Sequence, residues 1–131
     1  MSGWYLTDYF EPLDGDEEPE RTSVATPNHL QTALSKFALL EPRIVILEGP
    51  VGQVFQIGVG GLWGGFACID GIKLRIALPR VVTAPMRIEF LRWAQPCSLD
   101  QDELFPVGEM VDLLAGYMLW QEFSAWIRWR C

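Results

Sequence analysis

The stretch IGVGGLWGGF, residues 57–66, holds five glycines in ten positions. It admits two readings, a phosphate cradle or two strands meeting at a tight turn. A dinucleotide fingerprint needs Gly-x-Gly-x-x-Gly opening a helix after a strand. Gly58 and Gly60 satisfy the first two places, but the third falls on Trp63. A P-loop needs Lys after its last glycine, and Phe66 follows Gly65. The residues after the glycines have a strand pattern rather than a helical one, so the phosphate reading fails on spacing and on context. In the hairpin reading, Gly60–Gly61 supply the positive φ angles of the turn. Gly64–Gly65 leave room for a bulge or a large neighbour. Trp63 then sits beside the turn, either folded back over the sheet or offered to a partner.

The segments on either side extend this strand pattern. RIVILE (43–48) reads as a buried strand and VFQIGVG (54–60) as the next. Phe55, Ile57 and Val59 share one face of it, with Val54, Gln56 and Gly58 on the other. GGFACID leads to Asp70–Gly71, a hairpin signal. IKLRIAL then sets Ile72, Leu74, Ile76 and Leu78 opposite Lys73 and Arg75. MRIEFLRW (86–93) alternates as well, whereas AQPCSLDQDEL (94–104) reads as a loop. GWYLTDYF near the N-terminus and SAWIRWRC at the C-terminus complete the strands.

Two segments carry helical spacing. In TPNHLQTALSKFALLE, Thr26 caps and Pro27 suits the first turn. Leu30, Ala33, Leu34, Phe37 and Leu40 form its apolar face. The second is PVGEMVDLLAGYMLW, begun by Pro106, with Val107, Met110, Val111, Leu114, Tyr117 and Met118 as its stripe. These elements predict one α+β domain over residues 1–131. Its expected form is a two-layer sandwich, a mostly antiparallel sheet of about five or six strands with two helices on one face.

The net charge is −7, and residues 1–20 carry all of the excess: seven carboxylates and no Lys or Arg. The remaining ten acids balance ten bases. The acidic loop 11–20 repels nucleic acid, whose binding needs a basic surface, and attracts a basic protein partner. No apolar run approaches the roughly 20 residues that span a bilayer. The first residues show no signal-peptide pattern, so the expected location is the cytoplasm. Cys68, Cys97 and Cys131 are widely spaced, with neither a disulfide framework nor a zinc pattern.

Little in the chain suggests catalysis. His29, the single histidine, lies at a helix N-terminus with no acid at helical spacing, and reads as a surface residue. No catalytic residue, metal site or cofactor is assigned. Asp100, Asp102 and Glu103 cluster in a loop. Together with Asp14, Asp16, Glu17, Glu18, Glu20 and Trp63 they are the candidate partner-binding residues.

Three stretches resemble the small acidic immunity proteins of bacterial polymorphic-toxin systems, in particular the first-numbered immunity family, often paired with deaminase toxins. They are HLQTALSKFALLEPRIVILEGP, QIGVGGLWGGFACID and LFPVGEMVDLLAGYMLWQEFSAWIRW. The resemblance implies a non-enzymatic inhibitor that occludes the active site of a cognate toxin acting on nucleic acid, a deaminase or nuclease. The alternative reading is a non-enzymatic adaptor or structural subunit of a larger assembly.

Overall fold

The computed structural model describes residues 3–10 and 19–131. Among them the strands are β1 (Trp4–Asp8), β2 (Arg21–Val24), β3 (Arg43–Glu48), β4 (Val54–Val59) and β5 (Trp63–Asp70), then β6 (Lys73–Leu78), β7 (Ile88–Arg92), β8 (Gln95–Leu99), β9 (Phe105–Pro106) and β10 (Arg128–Arg130). The helices are α1 (Pro27–Phe37) and α2 (Val107–Trp120). The sheet runs β10-β6-β5-β4-β3-β1-β2, with β7 on β3, β8 on β7 and β9 on β5. Every pairing is antiparallel except a single β3–β7 contact at Arg43 and Leu91.

The expected α+β class with a mostly antiparallel sheet holds, but the sheet has ten strands among the described residues rather than five or six. Three of the strands, β2, β8 and β9, lie in segments not read as strands, and their sequences RTSV, QPCSL and FP carry no apolar period. They are strands because neighbours pair with them. Pro96 is tolerated because β8 pairs only with β7, so a missing N–H breaks no second ladder. The final strand is shorter than its alternation suggests, since only Arg128–Arg130 pair with β6. The hairpin after β5 turns on Gly71–Ile72, one residue later than Asp70–Gly71, because Asp70 faces Lys73 across the ladder.

One core cluster lies between the helices and the sheet, and it joins Leu30 and Leu34 of α1 to Met110, Val111 and Leu114 of α2. Trp4, Leu6, Val45, Leu47, Phe55, Ile57, Val59 and Phe66 supply the sheet side. Phe55, Ile57 and Val59 are the face that β4's alternation groups together. Burying each such side chain is worth about 1.5–3 kcal/mol. α1 starts as its sequence indicates: Thr26 Oγ1 accepts from the His29 backbone N–H, and Pro27 occupies the first turn. It ends at Phe37, so Leu40 falls outside it and is exposed.

A second cluster occupies the opposite face of the sheet, with Ile44, Ile46, Ala84, Phe90 and Leu104 at its centre. The β7–β8 hairpin forms this cover. The glycines of β4 and β5 make the fit: a Cβ at Gly58 would lie 3.0 Å from the Phe90 ring, and one at Gly65 would lie 2.6 Å from Glu103 O. Gly60 and Gly61 form the β4–β5 turn with φ +143° and +81°. The glycine-rich stretch is therefore a hairpin whose strands pass under close neighbours.

Gly116 differs from these. It lies inside α2 with nothing within 4 Å of a would-be Cβ. Gly116→Ala is expected to stabilise the protein by about 1 kcal/mol, since alanine restricts the unfolded chain and favours helix. A rise in the urea midpoint at unchanged slope is the check.

Candidate functional site

The two ends of the sheet carry different features. At one end the chain segments 8–10, 37–43, 59–62 and 91–94 converge. Gly61 N–H donates to Ala38 O at 2.8 Å, and Leu91 N–H donates to Pro42 O at 3.1 Å. Trp93 N–H donates to Tyr9 O at 2.6 Å. Arg43, buried at the start of β3, organises the junction. Its Nη1 donates to Asp8 Oδ2 at 2.9 Å, its Nε donates to Glu41 O, and its guanidinium lies 4.1 Å over the Phe10 ring. Asp8 Oδ1 in turn accepts from Phe10 N–H. These bonds hold residues 8–10, from which the acidic stretch leaves.

The β7–β8 turn at this end is strained. Trp93 and Ala94 both have positive φ, 51° and 63°, in a conformation that normally selects Asn-Gly. For residues with a Cβ this costs of order 1–2 kcal/mol each. The turn is held by Ala94 N–H on Phe10 O, by the Tyr9 ring edge-on to Trp93 at 5.3 Å, and by Arg92 over both rings. It leaves Trp93 42 % exposed, at the same end as the exposed side chains of Leu39, Leu40 and Leu62. Leu62, at the tip of the glycine hairpin, is 77 % exposed.

The residues singled out from sequence fall into three groups. Asp14, Asp16, Glu17 and Glu18 lie outside the described residues. Glu20 is exposed, with its carbonyl accepting from Asp8 N–H. Trp63 is half-buried against the second core cluster, which is the folded-back arrangement. Sequence reasoning missed Trp93 and Leu62. The signal for Leu62 was present, a leucine directly after the Gly60–Gly61 pair at a hairpin tip.

Asp100, Asp102 and Glu103 come together with Arg130 of β10. Arg130 forks onto Asp102, with Nη1 donating to Oδ1 at 3.2 Å and Nη2 to Oδ2 at 2.6 Å. Its Nη1 also donates to Glu103 Oε2 at 3.1 Å. Glu103, buried, accepts from Asp100 N–H through its other oxygen and closes a single 3-10 turn, Gln101–Glu103. The three carboxylates approach within 4.8 Å of one another, and Arg130 supplies the positive charge among them. Asp102 and Glu103 thus tie the C-terminal strand to the loop before α2.

The hydrogen bond from Arg130 holds the Asp102 carboxyl below the usual carboxylate range. A depressed folded-state pKa contributes stability that is fully present above the unfolded value and is lost as pH falls through the folded one. Arg130→Met is therefore expected to lower stability at neutral pH and to flatten its loss below about pH 4. Urea midpoints taken between about pH 3 and 6 check this. A parallel downward shift at every pH would assign the effect to packing alone.

At the opposite end, the β3–β4 and β5–β6 turns meet the C-terminus of α2, where Gln53 Nε2 donates to Gln121 Oε1 at 2.9 Å. Val51, Ile72, Leu119 and Trp120 are exposed there. Beside them a cavity of about 570 Å³ opens between α2, the segment 123–127 and the helix-bearing face of β4–β6. His29 is exposed on the first turn of α1 and lines a different pocket, between β2 and α1. Among the described residues no helix is long and apolar enough to cross a membrane. Compared with models of known families and with curated proteins, the sequence matches none.

Proposed function

We propose that this chain is an immunity-type inhibitor. It binds a cognate bacterial toxin that acts on nucleic acid, a deaminase or nuclease, and occludes its active site in the cytoplasm. It performs no catalysis of its own and uses no cofactor or metal. A toxin that grips nucleic acid has a basic cleft, and the acidic segment of this chain is its electrostatic counterpart. The segment steers and docks. The anchors are Trp93 and Leu62 rather than the half-buried Trp63.

One observation carries the reading. An exposed tryptophan stands in a strained, glycine-free turn that is bonded to the stem of the acidic segment. Strain held by its surroundings concentrates at functional positions. Tryptophan is also the side chain most enriched among interface hot spots.

The test uses the product of the neighbouring gene, with binding kinetics and rescue from toxicity in the same cells. Replacing Trp93-Ala94 by Asn-Gly relieves the turn, so the fold gains stability while neutralisation is lost. Asp14→Lys, Asp16→Lys, Glu17→Lys and Glu18→Lys together slow association by roughly 10–100-fold at low salt and reduce its salt dependence. An unchanged association rate and salt slope would remove the steering role. Full rescue by the Asn-Gly protein would remove Trp93 as an anchor.

A second reading, an adaptor in a larger assembly, draws on the apolar side chains at the other end. Trp120, 73 % exposed, is the strongest of these. Trp120→Ala separates the two, since it leaves neutralisation intact in the first reading and releases an assembly partner in the second.

A further inference from the structure

The cavity at the α2 C-terminus is lined by aromatic and by charged side chains. Its walls are aromatic: Tyr117 stacks on Phe123 at 4.6 Å, Phe55 meets Tyr117 edge-on at 5.1 Å, and Trp129 meets Phe123 at 5.5 Å. Its lining also includes one anion and one cation, the exposed Asp70 of β5 and Arg75 of β6. Asp70 lies across from Lys73 and Arg75 across from Cys68, so the two charges are diagonal neighbours on one face of a hairpin. Such positions are roughly 7–8 Å apart. Among the described residues, no carboxylate forms an ion pair with Arg75 and no cation forms one with Asp70. The Arg75 guanidinium stays near the cavity, 5.7 Å from the Trp129 ring.

The aromatic side chains in the lining suit a planar ring. A cation and an anion on diagonal positions of one sheet face select a ligand carrying both opposite charges. The volume lies within the usual range for small-molecule sites, about 300–1,000 Å³. We propose that this cavity binds a free aromatic amino acid, its ring among Phe55, Tyr117, Phe123 and Trp129, its carboxylate on Arg75 and its ammonium on Asp70. The site is at the opposite end of the sheet from residues 8–10 and does not depend on the inhibitor reading.

Cys68 also lines the cavity and provides a reporter. Burial pushes its thiol up to about 11, so it reacts slowly and an occupant slows it further.

The experiment is calorimetric titration of the full chain with L-tryptophan, indole-3-propionate (no ammonium) and tryptamine (no carboxylate). Expected is saturable binding of L-tryptophan, with each analogue roughly tenfold weaker. Arg75→Gln weakens L-tryptophan by roughly tenfold and leaves tryptamine unchanged. Asp70→Asn weakens L-tryptophan and leaves indole-3-propionate unchanged. These factors correspond to one charged hydrogen bond each. Both substitutions are at exposed positions, which keeps the fold. In protein carrying Cys97→Ser and Cys131→Ser, L-tryptophan slows labelling of Cys68 by 4,4′-dithiodipyridine. The proposal is overturned if L-tryptophan gives neither saturable heat nor protection of Cys68 at millimolar concentration. It is equally overturned if the three compounds bind alike, or if either charge variant weakens all three alike.

Discussion

Gly60→Ala is expected to destabilise the protein by about 4 kcal/mol, a large effect for the addition of one methyl group. Two costs add. Gly60 has φ +143°, a backbone region that side chains rarely adopt, and a Cβ there would lie 2.4 Å from Pro42 Cα and 2.7 Å from Pro42 N. Neither of those atoms belongs to a side chain that can rotate away. Relief requires the β4–β5 turn to move off the α1–β3 connection. The hydrogen bond from Gly61 N–H to Ala38 O would then lengthen or break. For a domain of this size the melting temperature should fall by about 10–15 °C. Urea denaturation supplies the check, with Gly116→Ala as the control of opposite sign. A loss below about 1 kcal/mol would mean that the turn relaxes freely.

Arg43→Leu should cost about 3 kcal/mol, the penalty for leaving one member of a largely buried ion pair without its partner. The Arg43 side chain is 10 % exposed and that of Asp8 26 %. Leucine fills part of the space between Phe10 and Phe37 but leaves Asp8 without its guanidinium. Replacing both residues, Asp8→Asn with Arg43→Leu, should recover part of the loss, and the double-mutant cycle measures the coupling. In the proposed inhibitor the same change loosens residues 8–10, which hold the Trp93 turn and directly precede the acidic segment in the chain. The toxin complex should therefore dissociate faster, while long-range steering, which depends on net charge, changes little. Equal dissociation rates for Arg43→Leu and the unmodified protein would separate this junction from binding.

Much of the scaffold could be read from local pattern. The alternation of VFQIGVG sorts Phe55, Ile57 and Val59 to the helix-bearing face, and the unbroken apolar run RIVILE becomes the strand buried on both sides. Thr26 and Pro27 start α1 where their chemistry requires. The Ile57–Phe66 stretch declares itself a hairpin through the motif places it fails to fill. In β6 the alternation is kept, but the buried residue is Ala77, between the apparent apolar positions Ile76 and Leu78. Periodicity states that two faces exist, and only packing states which one meets the core.

The partner-binding candidates divide in the same way. A clustered charge is visible in sequence, but whether it is free depends on what lies opposite. Asp102 and Glu103 look like a solvated acidic loop until Arg130, 27 and 28 residues further on, comes back beside them on β10. Trp63 looks available until the β7–β8 hairpin closes over its face of the sheet. Trp93 carries no signal at all, because its exposure follows from a backbone conformation that its residue type disfavours.

By itself the sequence determined the α+β class, both helices and the Thr26 cap of the first, the central antiparallel strands and the concentration of charge near the N-terminus. Each of these depends on side chains within a few positions of one another, where period, turn chemistry and capping act. Tertiary structure alone decided the strands without apolar period, the second cover of the sheet, the Arg130 carboxylate tie, the Trp93 turn and the aromatic cavity. Those features join residues tens of positions apart, and their formation depends on which surfaces are already occupied when the chain closes.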